Sequence, residues 1–177
     1  MLQRLPRPQA IVQVYAVIVV LLAGWTITAF LWKVSAWLLL LNLGEILTLF
    51  AYAMLSNLLE SLLILLLILT ISLLFPTLRA HFVVRGTILA FGLIGAMMAF
   101  VGLHMQFGMD IGAGLLLGPI VVLAITAGLL NLSSASRFVD AVHSAILRLT
   151  DRLIIFLYIL LPLFFISTVY LILRSLV

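Results

Sequence analysis

The chain has 177 residues, of which 67% are hydrophobic and 8% charged, and its mean hydropathy of +1.46 lies far outside the range of water-soluble domains. That composition excludes a soluble catalytic domain, and the formal charge of +4 reads as membrane topology and headgroup contact, not nucleic-acid binding. The lack of cysteine excludes disulfides, thiolate metal sites and cysteine nucleophiles. There is room for about five spans of roughly 20 residues each. The whole of 1–177 reads as one all-α domain, a polytopic membrane helix bundle of about five transmembrane helices plus interfacial amphipathic helices. Its expected setting is the prokaryotic plasma membrane.

Arg4 and Arg7 precede the first apolar segment, Ala10 to Trp32. At about 23 residues it is too long for the apolar core of a typical cleaved signal sequence, and Trp32 with Lys33 resembles an interfacial anchor, so a retained span is expected.

Val34 to Phe75 follows, 42 nearly unbroken apolar residues whose only charges are Glu45 and Glu60. As one helix it would reach roughly 63 Å, about twice the hydrocarbon thickness, so it must bend, lie flat in part or turn back. Positive charges decide between one crossing and two. One crossing, with the N-terminus inside, places Arg4, Arg7, Arg79, Arg85, Arg137, Arg148 and Arg152 on the inner side and only Lys33 and Arg174 outside. Two crossings give at best six against three, so five spans with a cytoplasmic N-terminus and an external C-terminus fit the positive-inside rule better. On this arrangement residues 34–54 lie at the outer interface or dip back, and 55–75 span. Glu45 is then near the outer surface, with Glu60 within a turn or two of the outer boundary.

The polar residues of this segment are ordered. Asn42, Glu45, Thr48, Tyr52, Ser56 and Glu60 are separated by 3, 3, 4, 4 and 4, which places them along one side of a helix. The plain explanation is an amphipathic interfacial helix facing water or headgroups. The sharper one is that Glu60, with Asn57 three residues before it, faces other helices and binds a cation, a proton or a partner's basic residue, because acids inside spans are costly. Glu60 is followed by Leu62 to Leu69 without a polar break and is expected to matter more than Glu45.

Further spans are expected at about Gly86 to Leu103, Ile111 to Leu130 and Leu153 to Leu173. Small residues line the first two: Gly92, Gly95, Ala99 and Gly102 recur at 3, 4 and 3, and Gly114 and Gly118 form a GxxxG pair continued by Ala124 and Gly128. This pattern predicts a closely packed hairpin in which Gly95 and Gly118 are packing positions. Pro119 and Pro162 should bend their helices. The hairpin turn carries His104, Gln106, Gly108 and Asp110, two ionisable groups that fall short of a metal shell and read first as polar turn chemistry. From 136 to 150, Phe138, Val142, Ile146 and Leu149 fall on one face and charged residues on much of the rest, predicting an inner-surface amphipathic helix with Ser136 as N-cap.

HExxH, GxSxG, P-loop and GxGxxG patterns are all absent, as is an aspartate pair of the intramembrane-protease kind. His81 and His143 fall on the same side, but one sits in an Arg-flanked loop and the other on a surface helix, which argues against bis-histidine haem; no cofactor is indicated. The reading that follows is a non-catalytic subunit or scaffold of a membrane complex, with lipid and either other membrane subunits or further copies of itself as partners. The alternative is an oligomeric transporter or channel for protons or small cations using Asn57 and Glu60. An intramembrane or lipid-modifying enzyme using Glu45, Glu60 or His104 is a third, weaker reading.

Overall fold

The computed structural model describes residues 6–76, 78, 81–107, 113–132 and 138–176. These form five helices: α1 Pro8–Trp37, α2 Leu43–Leu74, α3 Phe82–Phe107, α4 Ala113–Leu132 and α5 Phe138–Ser175. Four of them are long and apolar enough to cross a membrane, while α4 carries a shorter apolar run, Leu116–Asn131. The amphipathic stretch expected over 136–150 is no separate helix; from Phe138 it forms the first turns of the 38-residue α5. Both α4 and α5 run through their prolines, Pro119 and Pro162.

Local chemistry explains how Val34 to Phe75 is divided. Helix α1 continues past Lys33 to Trp37, and the chain then turns through Leu38 to Leu41, whose N–H groups bond back to Val34, Ala36 and Trp37 carbonyls. With its donors satisfied, this leucine turn suits an apolar setting. Asn42 then starts α2 with a capping box. Its side chain accepts from the Glu45 N–H at 2.9 Å, while the Glu45 carboxylate accepts from the Asn42 N–H at 2.9 Å. The helix stops at Phe75, held extended by the following Pro76. Residues 34–54, expected along the outer interface, therefore supply the end of α1, the turn and the first third of α2. The rest of the segment forms one unbroken helix with no hairpin in it, and Glu60 stands midway along the 32-residue α2 instead of within a turn or two of one end.

Helix α1 is the hub. One of its faces joins Val14, Ile18 and Leu22 to Ile68 of α2 and to Phe82, Ala90 and Ile94 of α3; the other joins Ala16, Val19 and Ala23 to Met54 of α2 and to Leu157 and Phe164 of α5. α4 packs chiefly on α3. Between apolar helices in lipid there is little hydrophobic driving force, so close packing and buried polar bonds carry more of the specificity. Two polar latches set the register of α5. Gln13 donates to Asp151 at 2.6 Å at one end, and at the other the Arg174 guanidinium donates to the Gly44 carbonyl at 2.9 Å. The start of α1 and the end of α5 thus lie at opposite ends of the bundle.

Candidate functional site

The polar stripe of α2 separates into parts with different surroundings. Asn42 and Glu45 are engaged with each other's backbone in the capping box. Thr48 donates to the Gly44 carbonyl at 2.6 Å and lies 3.3 Å from the Tyr170 hydroxyl, joining the latch to α5. Tyr52, 58% exposed, and Ser56 point away from the protomer, and Glu60 is half-buried beside them. Leu59 and Leu63, 56% and 64% exposed, extend the same outward face.

The inward face of α2 holds polar groups that meet partners on α1. Asn57, 3% exposed, accepts from the Thr26 hydroxyl at 2.9 Å, and the wholly buried Ser61 lies 3.3 Å from the Tyr15 hydroxyl. The Asn57 amide nitrogen is buried without a hydrogen-bond partner. Thr26, Tyr15 and Ser61 escape a search for charged groups. Their only sequence signal is an uncharged polar residue within a largely apolar segment, and nothing local says which helix it meets.

A second constellation lies at the end of the bundle where α1 and α3 begin. The His81 and His143 rings meet edge to face, 5.6 Å apart and at 89°, beside an open cavity of about 390 Å³ also lined by Arg7, Val83, Val84 and Leu147. His81 and His143, 62 positions apart in the sequence, are thus adjacent in space. Among the described residues no group of three or more His, Asp or Glu is placed to hold a metal ion. His104 is exposed at the far end of α3, while Gln106, Gly108, Asp110 and Ser136 lie outside the residues whose side chains are described.

The small-residue seam between α3 and α4 is closest at Gly92, where an added Cβ would stand 2.8 Å from the Cβ of Thr126. Thr126 cannot easily give way, being β-branched and bonded through its hydroxyl to the Val122 carbonyl at 2.7 Å. At Gly118 the nearest atom, 2.7 Å away, is only the tip of Leu103, with the Ala99 Cβ at 3.7 Å; at Gly95 it is a Val122 methyl at ordinary contact distance, 3.4 Å. Gly102 and Gly128 face open space, and the surroundings of Gly114 are outside the described residues.

Compared with protein-family models, with curated proteins and with solved structures, the chain matches none.

Proposed function

We propose that this chain is a non-catalytic subunit or scaffold of a larger membrane complex, and that the outward face of α2 is where a partner helix docks. The observation that carries this reading is the placement of Tyr52, Ser56 and Glu60 on an exposed or half-exposed face near the middle of a membrane-length helix. A carboxylate facing hydrocarbon at that depth is strongly disfavoured, whereas a helix offering a basic or hydrogen-bonding group would satisfy it. The inward polar groups Asn57 and Ser61, by contrast, meet Thr26 and Tyr15 within the protomer. An oligomeric transporter for protons or small cations is the rival reading, since the unpartnered Asn57 amide lies three residues from Glu60 on the same helix.

The test is purification of the tagged parent chain in mild detergent beside Glu60→Gln and Glu45→Gln. The parent should bring stoichiometric membrane partners and Glu60→Gln should lose them with its helix content intact. Glu45→Gln should keep them, because Gln also closes a capping box. A parent that purifies alone as a symmetric ring with Glu60 toward its axis supports transport instead. A parent that purifies alone as a monomer overturns both readings.

The basic end of the bundle belongs on the cytoplasmic side in this proposal. Arg7, Arg85, Arg148 and Arg152 lie toward that end, with Lys33 and Arg174 toward the other. Because the chain has no cysteine, Ser144→Cys and Ser175→Cys report the two ends separately to an impermeant thiol reagent. Labelling at position 175 but not 144 in intact cells is expected; the reverse contradicts this orientation.

A further inference from the structure

We propose that the cavity between the starts of α1 and α3 and the early turns of α5 binds a phosphate group, carried on a lipid headgroup or free in solution. Three chain-distant segments build it. Arg7 immediately precedes α1, His81 immediately precedes α3, and His143 comes from the second turn of α5, all lining one cavity of about 390 Å³ in whose wall no carboxylate stands among the described residues.

The backbone adds to the side chains. Phe82, Val83 and Val84, the first three residues of α3, line the cavity, and N–H groups of a first helical turn have no acceptor within their own helix. Aligned peptide dipoles make such a terminus favourable for an anion, and that of α1 opens beside it behind Arg7, whose side chain makes no capping bond. A guanidinium can chelate phosphate oxygens in a forked pair of bonds, and an imidazole offers an N–H donor even when neutral. The site also lies where a phosphate would be found, at the level of the helix starts, with the apolar Ala10 and Leu147 on the side toward the bundle. A metal fits less well, since two imidazoles and no further Asp, Glu or His among the described residues are too few ligands. The site lies apart from the outward face of α2 and does not depend on the reading of that face.

The experiment uses the full chain in an uncharged detergent, titrated with short-chain phosphatidylglycerol in one arm and inorganic phosphate in the other, and followed by native mass spectrometry and thermal shift. Saturable binding is expected in at least one arm. Arg7→Gln combined with His143→Gln should weaken it at least about ten-fold, as loss of charge-assisted bonds implies. His81→Gln, at an exposed position outside the core, should weaken it independently, and Lys33→Gln at the opposite end should leave it unchanged. Binding of the lipid alone assigns the site to a headgroup; comparable binding of both probes assigns it to the phosphate group itself. No saturable binding of either probe, or binding that survives the double variant and His81→Gln with helix content intact, overturns the proposal.

Discussion

The two faces of α2 use similar residues to opposite ends. Inward, Asn57 and Ser61 meet Thr26 and Tyr15 of α1 beside a tightly filled core; outward, Tyr52 and Ser56 stand exposed among exposed leucines with Glu60 half-buried beside them. Polarity alone therefore does not separate structural from functional positions in this helix. The useful distinction is whether the same chain supplies a partner. Where it does, the polar group fixes the register of α1 against α2; where it does not, it marks the surface proposed above as the docking face for a partner helix.

The sharpest way to break this contrast is to remove volume from each face. Met54 is fully buried between α1 and α5, so Met54→Ala should destabilise the protomer by about 2 kcal/mol or more through lost packing. Leu63→Ala on the outward face should change it by less than about 0.5 kcal/mol. Reversible unfolding in mixed micelles measures both, and equal losses would mean that the two faces are equally packed.

A second contrast sharpens the role of close contact away from α2. Gly92→Ala drives a methyl into Thr126 and should cost about 1–3 kcal/mol, while Gly102→Ala, which meets nothing within 4 Å, should be neutral or slightly favourable. Similar unfolding midpoints for the two variants would show that α3 and α4 separate readily. A smaller effect is expected from Thr26→Val, which removes the donor to Asn57 at nearly constant volume. Its expected cost is about 0.6 kcal/mol, the average for a polar bond between membrane helices. A loss above about 2 kcal/mol would make this pair a principal anchor of the hairpin and not a register device.

Much of this architecture was legible in the sequence because membrane length and charge asymmetry are local signals. The five helices and the clustering of the described cations toward one end follow from apolar run lengths and from counting Lys and Arg. Where α2 begins was harder to read. Asn42 and Glu45 have the spacing of a capping box, but the same spacing places them on a helical stripe with Thr48 and Glu60, and only the turn through Leu38 to Leu41 decides between the two. That choice moved Glu60 from near the outer boundary to the middle of α2. The small-residue pattern pointed to Gly95 and Gly118, yet the closest approach is at Gly92, since it depends on which side chain lies opposite. Contacts such as Tyr15 with Ser61 or His81 with His143 join residues 46 and 62 positions apart, and no periodicity within one helix encodes them.

The smallest expected effect on protomer stability is that of Glu60→Gln, whose consequence should fall on assembly instead. The most direct measurement is site-specific photocrosslinking in native membranes. A photoreactive phenylalanine analogue at Tyr52, on the outward face of α2, is compared with one at Leu129, 49% exposed on α4. The account predicts a discrete protein adduct from position 52 that weakens in the Glu60→Gln background, with lipid adducts alone from position 129. Lipid adducts alone from position 52, unchanged by Glu60→Gln, would contradict it: the outward face of α2 would then be open to the bilayer, with no partner helix on it.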